Sequence, residues 1–220
     1  MDMRIAGKGN VPSGEYENIK ISGNCRLYGN VRCTLFKASG TSKGESIECL
    51  EKFKTSGNTT FTGSIKAKNI RSSGSLSCVC REENEAKNEN NIKCDALSIS
   101  GKLRIDGNIE AENVKIEGAL DCKGLINAES IILNADGKMN VGSIGGASIK
   151  IKRKLISIFK RKIIVQASIE GDNISLNHVI CPKVTGCNVV IGKGCNIDLV
   201  QYSDGIKISK RAKIGKIEKI

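Results

Sequence analysis

Tryptophan is absent from this 220-residue chain, aromatic residues make up 3% of it, and there are two prolines and one histidine. So few large rings exclude the wide, ring-filled interior of an ordinary globular domain and favour a narrow core of branched and small side chains. No run of 18 apolar residues exists, which argues against a transmembrane helix. The opening Met1–Asn10 (MDMRIAGKGN) lacks the apolar core of a signal peptide. No G-x-x-x-x-G-K-[ST] phosphate loop occurs. Glycine, by contrast, is plentiful at 24 residues.

The glycines are not scattered. Ser-Gly pairs begin at Ser22, Ser39, Ser56 and Ser73, each 17 residues after the last. Gly101 and Gly118 are again 17 apart, whereas Gly74 to Gly101 spans 27. The surplus falls on the polar stretch from Arg81 to Asn90 (REENEAKNEN), read as a loop insertion over 81–90. Apolar residues recur four positions before each glycine, at Ile19, Phe36, Phe53, Ile70, Leu97 and Val114. Runs such as Gly63-Ser-Ile-Lys-Ala67 and Gly107-Asn-Ile-Glu-Ala111 place every second residue in the core, which is strand periodicity. Short strands repeated at this interval build a β-solenoid. Toward the end, Ile174, Ile191 and Ile208 keep the 17-residue beat, as do Ile180, Ile197 and Ile214.

The pattern lapses from Lys150 to Lys162 (KIKRKLISIFKRK). A first block over 1–148, a basic crossover over 149–165 and a second block over 166–220 follow from that lapse, stacked as one elongated domain.

The recurring SG-led coil resembles the bactofilins, a bacterial polymer-forming cytoskeletal family built on a right-handed parallel β-helix. Gly14-Glu15-Tyr16, Ile19-Lys20-Ile21-Ser22-Gly23, Ile169-Glu170-Gly171-Asp172-Asn173-Ile174 and Val190-Ile191-Gly192-Lys193-Gly194-Cys195 look like its longer, two-block branch. The resemblance covers nearly the whole chain. It implies filaments that form without nucleotide, cytosolic location, and scaffolding at the membrane or cell wall with morphogenesis proteins as partners. The chain departs from the better-known members in its interrupted solenoid and in having almost no proline-rich tail.

The formal net charge is +12. Residues 150–162 carry seven cations and no acid, and residues 205–220 carry six cations against Glu218, so these two clusters hold the whole excess. Two readings of the first cluster stay open. Lys152, Arg153, Lys154, Leu155, Ile156, Ile158, Phe159, Lys160, Arg161 and Lys162 could form a basic amphipathic element on an anionic membrane, or a plain crossover whose apolar residues cap a coil. A uniformly basic surface would suit nucleic acid; two local clusters make that partner the least favoured.

The cysteines number ten, yet the repeat accounts for most. Cys33, Cys49 and Cys94 occupy the offset held by Ala67, Ala111 and Ala128. Cys25 sits where Leu76 and Leu103 sit, and Cys78 and Cys122 match Phe61 and Ile105. These six are expected to be buried, reduced thiols. Cys78-Val79-Cys80 departs from metal-ligand spacing and has no histidine nearby, so no metal or other cofactor is expected. His178 has no assignable orienting partner, the acids are scattered singly, and the expectation is a protein that is not an enzyme.

A solenoid is most adhesive at its ends, where strand edges and core cross-section lie open. The last coil, Ile206 to Ile220, has no capping helix after it in this sequence. Ile19 and Ile21 at one end, and Ile206, Ile208, Ile214 and Ile217 at the other, are therefore the expected end contacts of a homopolymer. The competing expectation is a rod that does not polymerise and presents binding surfaces along its length. An acyl-transfer or ligand-binding β-helix is a distant third.

Overall fold

The computed structural model describes residues 1–80, 90–154 and 163–220. Sixteen strands follow one another. They are β1 (Asp2–Val11), β2 (Gly14–Leu27), β3 (Asn30–Gly44), β4 (Ser46–Thr55), β5 (Asn58–Phe61) and β6 (Ile65–Ser72). Next come β7 (Ser75–Cys78), β8 (Ile92–Lys93), β9 (Ala96–Ile105), β10 (Ile109–Gly145) and β11 (Ser148–Arg153). The last are β12 (Ile163–Val165), β13 (Ser168–Leu176), β14 (Val179–Ile191), β15 (Asn196–Ile208) and β16 (Lys213–Lys219). All pair in parallel, forming a β-solenoid of about 12 turns with no helix among the described residues. At the usual strand spacing the rod is about 55 Å long.

Each turn lays a residue on its counterpart below, so the core is a set of columns. One column runs Met3, Ile19, Phe36, Phe53, Ile70, Leu97 and Val114. In its middle, Phe36 and Phe53 stack with ring centroids 4.9 Å apart, and Phe61 meets Phe53 edge-on at 5.9 Å. Three of the four phenylalanines thus form one buried cluster, and the rest of the described interior is mostly aliphatic and thiol, with a few buried hydroxyls such as Thr55, Thr59 and Ser72.

Glycine is needed at the corner after this column because backbone meets backbone. A Cβ on Gly40 would fall 2.2 Å from the carbonyl oxygen of Gly23, and one on Gly118 would fall 2.0 Å from that of Gly101. No side chain fits there, and both residues hold φ above +130°. The Ser-Gly repeat is therefore a seam of stacked backbone.

Hydrogen bonding does not break where the sequence loses its pattern. Strand β10 pairs with β11 (Ile131 on Ile149), and β11 pairs with β13 (Ile149 on Ile174). Residues 148–153 and 163–165 are coil strands, so only residues 155–162 of the expected crossover lie outside the described chain. The insertion expected over 81–90 likewise lies outside it, except Asn90, which is buried.

The late register differs from the expected one. Ile174 pairs with Val189, and Ile191 pairs with Leu176 and Ile208. The turn from Ile174 is thus 15 residues, not 17, an offset held from Ser168 on Lys183 through Leu176 on Ile191. Ile197 stands on Cys181, not on Ile180, which points outward and is only half-buried.

Candidate assembly interface

The two ends of the rod are built differently. At the N-terminal end, β1 covers the residues expected to be terminal: Met3 lies on Ile19 and Ile5 on Ile21. Ile19 and Ile21 are 0% and 3% exposed, so they are core, and the expectation that they form an end contact is corrected. The signal missed in the sequence was the alternation Met3, Ile5, Gly9, Val11, which continues the columns one coil further. Ile5 bends across the end: a Cβ on Gly9 would fall 2.9 Å from its Cγ2. Tyr16 packs against the core beside it and donates a hydrogen bond to the Pro12 carbonyl at 3.1 Å. This end is therefore partly lidded by its own side chains.

The C-terminal end is not. Strand β15 places Ile206 on Val189 and Ile208 on Ile191, and among the described residues nothing pairs with the outer edge of residues 205–208. Strand β16 sets Ile214 on Ile197 and Ile217 on Val200. All four expected contacts lie on this one face. Ile208 is 37% exposed and Ile217 49%, against 1% for Ile191 and 0% for Val200 beneath them. A rim of Lys207, Lys210, Arg211, Lys213, Lys216 and Lys219 surrounds them, with Glu218 engaged by Lys216 and by the Gln201 amide.

The basic segment divides. Lys152 and Lys154 are exposed on and just past β11, Arg153 is half-buried, and Lys154 lies 3.7 Å from Asp136. Leu155, Ile156, Ile158, Phe159, Lys160, Arg161 and Lys162 lie outside the described residues. Ile163, directly after them, is a buried strand residue between Met139 and Val179.

The six expected thiols are all buried, and Cys181 and Cys195 join them. Their columns match the expected ones: Cys33, Cys49, Ala67, Cys94 and Ala111 stand in register. Burial pushes Cys78, Cys94 and Cys122 up to about 12 and Cys25 up to about 11. Such thiols are poor nucleophiles at neutral pH.

His178 stands at a corner with φ of 59°, the one non-glycine residue with positive φ among those described. Its imidazole lies over Gly194, where a Cβ would fall 2.4 Å from Nδ1. Burial first, then the positive Arg153 and Lys193, hold its pKa below the ordinary value. Among the described residues no carboxylate pairs with it. Asp106, nine-tenths buried as a side chain, receives Lys123 at 2.8 Å and the Cys80 amide at 3.1 Å, which makes it structural support for the coil beside the insertion.

No family profile matches this sequence, and no solved structure matches it. It is 37% identical over 82 residues to an uncharacterized protein, YhbF, of Bacillus subtilis (strain 168). That match covers 36% of this chain and 34% of the relative's length.

Proposed function

We propose that this chain is a non-enzymatic, bactofilin-like scaffold that assembles end to end without nucleotide and organises partners at the cytoplasmic face of the membrane or at the cell wall. The observation that carries the reading is the C-terminal face, where Ile206, Ile208, Ile214 and Ile217 lie side by side on the last coil. Ile208 and Ile217 are exposed there, and an unpaired strand edge beside them can receive another coil. Solenoids that remain single cover such a face with polar residues. The buried, protonated thiols, and a His178 that no carboxylate among the described residues pairs with, support a structural reading over a chemical one.

The runner-up is a rod that does not polymerise and offers its long β faces to partners. The cation rim around the end face favours it, since two such rims repel each other.

Negative-stain electron microscopy of the reduced protein, without nucleotide, separates the two. The expected result is filaments for the natural sequence and single rods for Ile208→Lys at an unchanged melting temperature. Single rods for the natural sequence, or filaments for the variant, would sink the assembly reading.

A further inference from the structure

Two sides of the rod treat charge in opposite ways. On one, the outward column reads Glu15, Arg32, Glu48, Lys66, Lys93, Glu110 in register. Signs mix there, and the side chains pair: Arg32 with Glu15 at 3.5 Å, Lys66 with Glu48 at 3.1 Å, Lys93 with Glu110 at 3.0 Å. Such exposed pairs stabilise weakly, but they cancel one another's field.

The other side does not cancel. Between the buried columns headed by Met3 and Ile5, the outward residues of five successive turns are Arg4, Lys20, Lys37, Lys54 and Arg71. Each stands directly on the next, and all are exposed. Among the described residues, no carboxylate lies within ion-pair distance of Lys20, Lys37, Lys54 or Arg71. Like charges in directly opposed positions destabilise a sheet. Five in a row, about 4.8 Å apart, are therefore a cost that folding alone does not explain. The nearly balanced charge count of the chain before Lys150 hides this stripe, because register, not sequence position, brings these cations into one column.

Beyond Arg71 the stripe thins, and its next cation, Lys115, is paired with Glu117 at 3.0 Å. The same column passes through Ser98 to Lys115, then through Ile132 to Lys150, and through Ser175 and Val190 to Lys207. Lys152, two residues beyond Lys150, points outward from the same strand. The column on one side of the first five cations is Ala6, Ser22, Ser39, Ser56 and Ser73, all small; the column on the other side is Asp2, Asn18, Leu35, Lys52 and Asn69, in which Asp2 alone is acidic and acts on Arg4 and Lys20 at the end of the row.

We infer that this side of the rod is a docking face for an anionic lipid surface, on which the rod lies lengthwise. A straight row of point charges on an extended β face fits a planar array of headgroups, and Lys150 and Lys152 add two exposed cations further along the rod. Single-stranded nucleic acid is bound by basic grooves furnished with aromatic stacking platforms. Among the described residues this face carries no ring. The inference rests on the proposed role as a membrane scaffold, but the binding itself does not require assembly.

Co-sedimentation with vesicles of phosphatidylcholine, alone or mixed equally with phosphatidylglycerol, tests it. The natural sequence should sediment with the anionic vesicles only. Lys20→Glu/Lys37→Glu/Lys54→Glu should lose at least about tenfold in partitioning. Lys8→Glu/Lys43→Glu/Lys102→Glu removes the same charge from another side and should retain most of the binding. Thermal melts of both variants, and the Lys→Gln version of the first, guard against a folding defect. Equal loss in both variants, no loss in the first, or binding to a single-stranded oligonucleotide in preference to vesicles would overturn the inference. Electron microscopy of the same samples keeps the two readings apart, because filaments without vesicle binding sink only this one.

Discussion

The thiol sulfurs of Cys33 and Cys49 lie 3.4 Å apart, one turn above the other, in the interior of the solenoid. Their contact and their burial both push Cys49 well above the ordinary thiol range. Eight of the ten cysteines are buried, and only Cys80 and Cys187 are half-buried. A colorimetric thiol titration of the native protein should therefore report two fast groups, and all ten after denaturation. More than two fast thiols would mean that the turns open readily.

The same burial sets a pH dependence. A thiol whose pKa rises on folding keeps its proton longer in the native state, so its contribution is complete below the unfolded value of 9.0. It is lost as pH climbs toward the folded value of about 12 for Cys78, Cys94 and Cys122. Melting temperature should fall through this alkaline window. Cys94→Ala should flatten that fall at little cost at pH 7, because its column neighbours are Ala67 and Ala111. An unchanged alkaline slope in the variant would refute the thiol as its source.

The glycine seam gives a sharper mutational contrast. Gly40→Ala forces a Cβ onto the Gly23 carbonyl and a side chain into a left-handed backbone. The expected cost is about 2–3 kcal/mol, or about 5–10 °C in melting temperature. Ser39→Ala, one residue earlier and exposed, should change little. Equal melting of the two variants would show that the turns can spread.

Much of this was legible in the chain. The 17-residue beat, the strand alternation and the thiol columns all follow from inward positions, where each turn must match the one below. Three things were not legible, each for a physical reason. Ile19 and Ile21 looked terminal because Met3 and Ile5 head a turn without a Ser-Gly pair, the marker of the others. The 15-residue turn was hidden because Val189 and Ile191 are both apolar, so either could have continued the Ile174 column. The cation stripe was invisible to a charge count, since only register reveals that Lys20, Lys37 and Lys54 stand on one another.

The register across the insertion makes a prediction of its own. Ile65 pairs with Ile92 and Leu76 with Leu103, so the turns close on both sides of residues 81–89. Replacing those nine residues with two or three glycines should leave circular dichroism unchanged and melting within a few degrees, because loop length enters stability only logarithmically. A collapse of the fold would give the segment a structural role.

The position of the N-terminal end can be tested by charge. Ile19 is fully buried beneath Met3, and a lysine there would bring an unpaired ammonium into a core lined by Phe36. Ile19→Lys should cost more than about 3 kcal/mol and melt far below the natural protein. Met3→Lys places the same group on an outer, half-buried position, from which the side chain reaches water, and should melt within a few degrees of it. If Met3→Lys also leaves rods that no longer join, β1 supplies the second contact of the filament. If Ile19→Lys melts normally, β1 does not cover the core, and the end of the rod lies one turn further in.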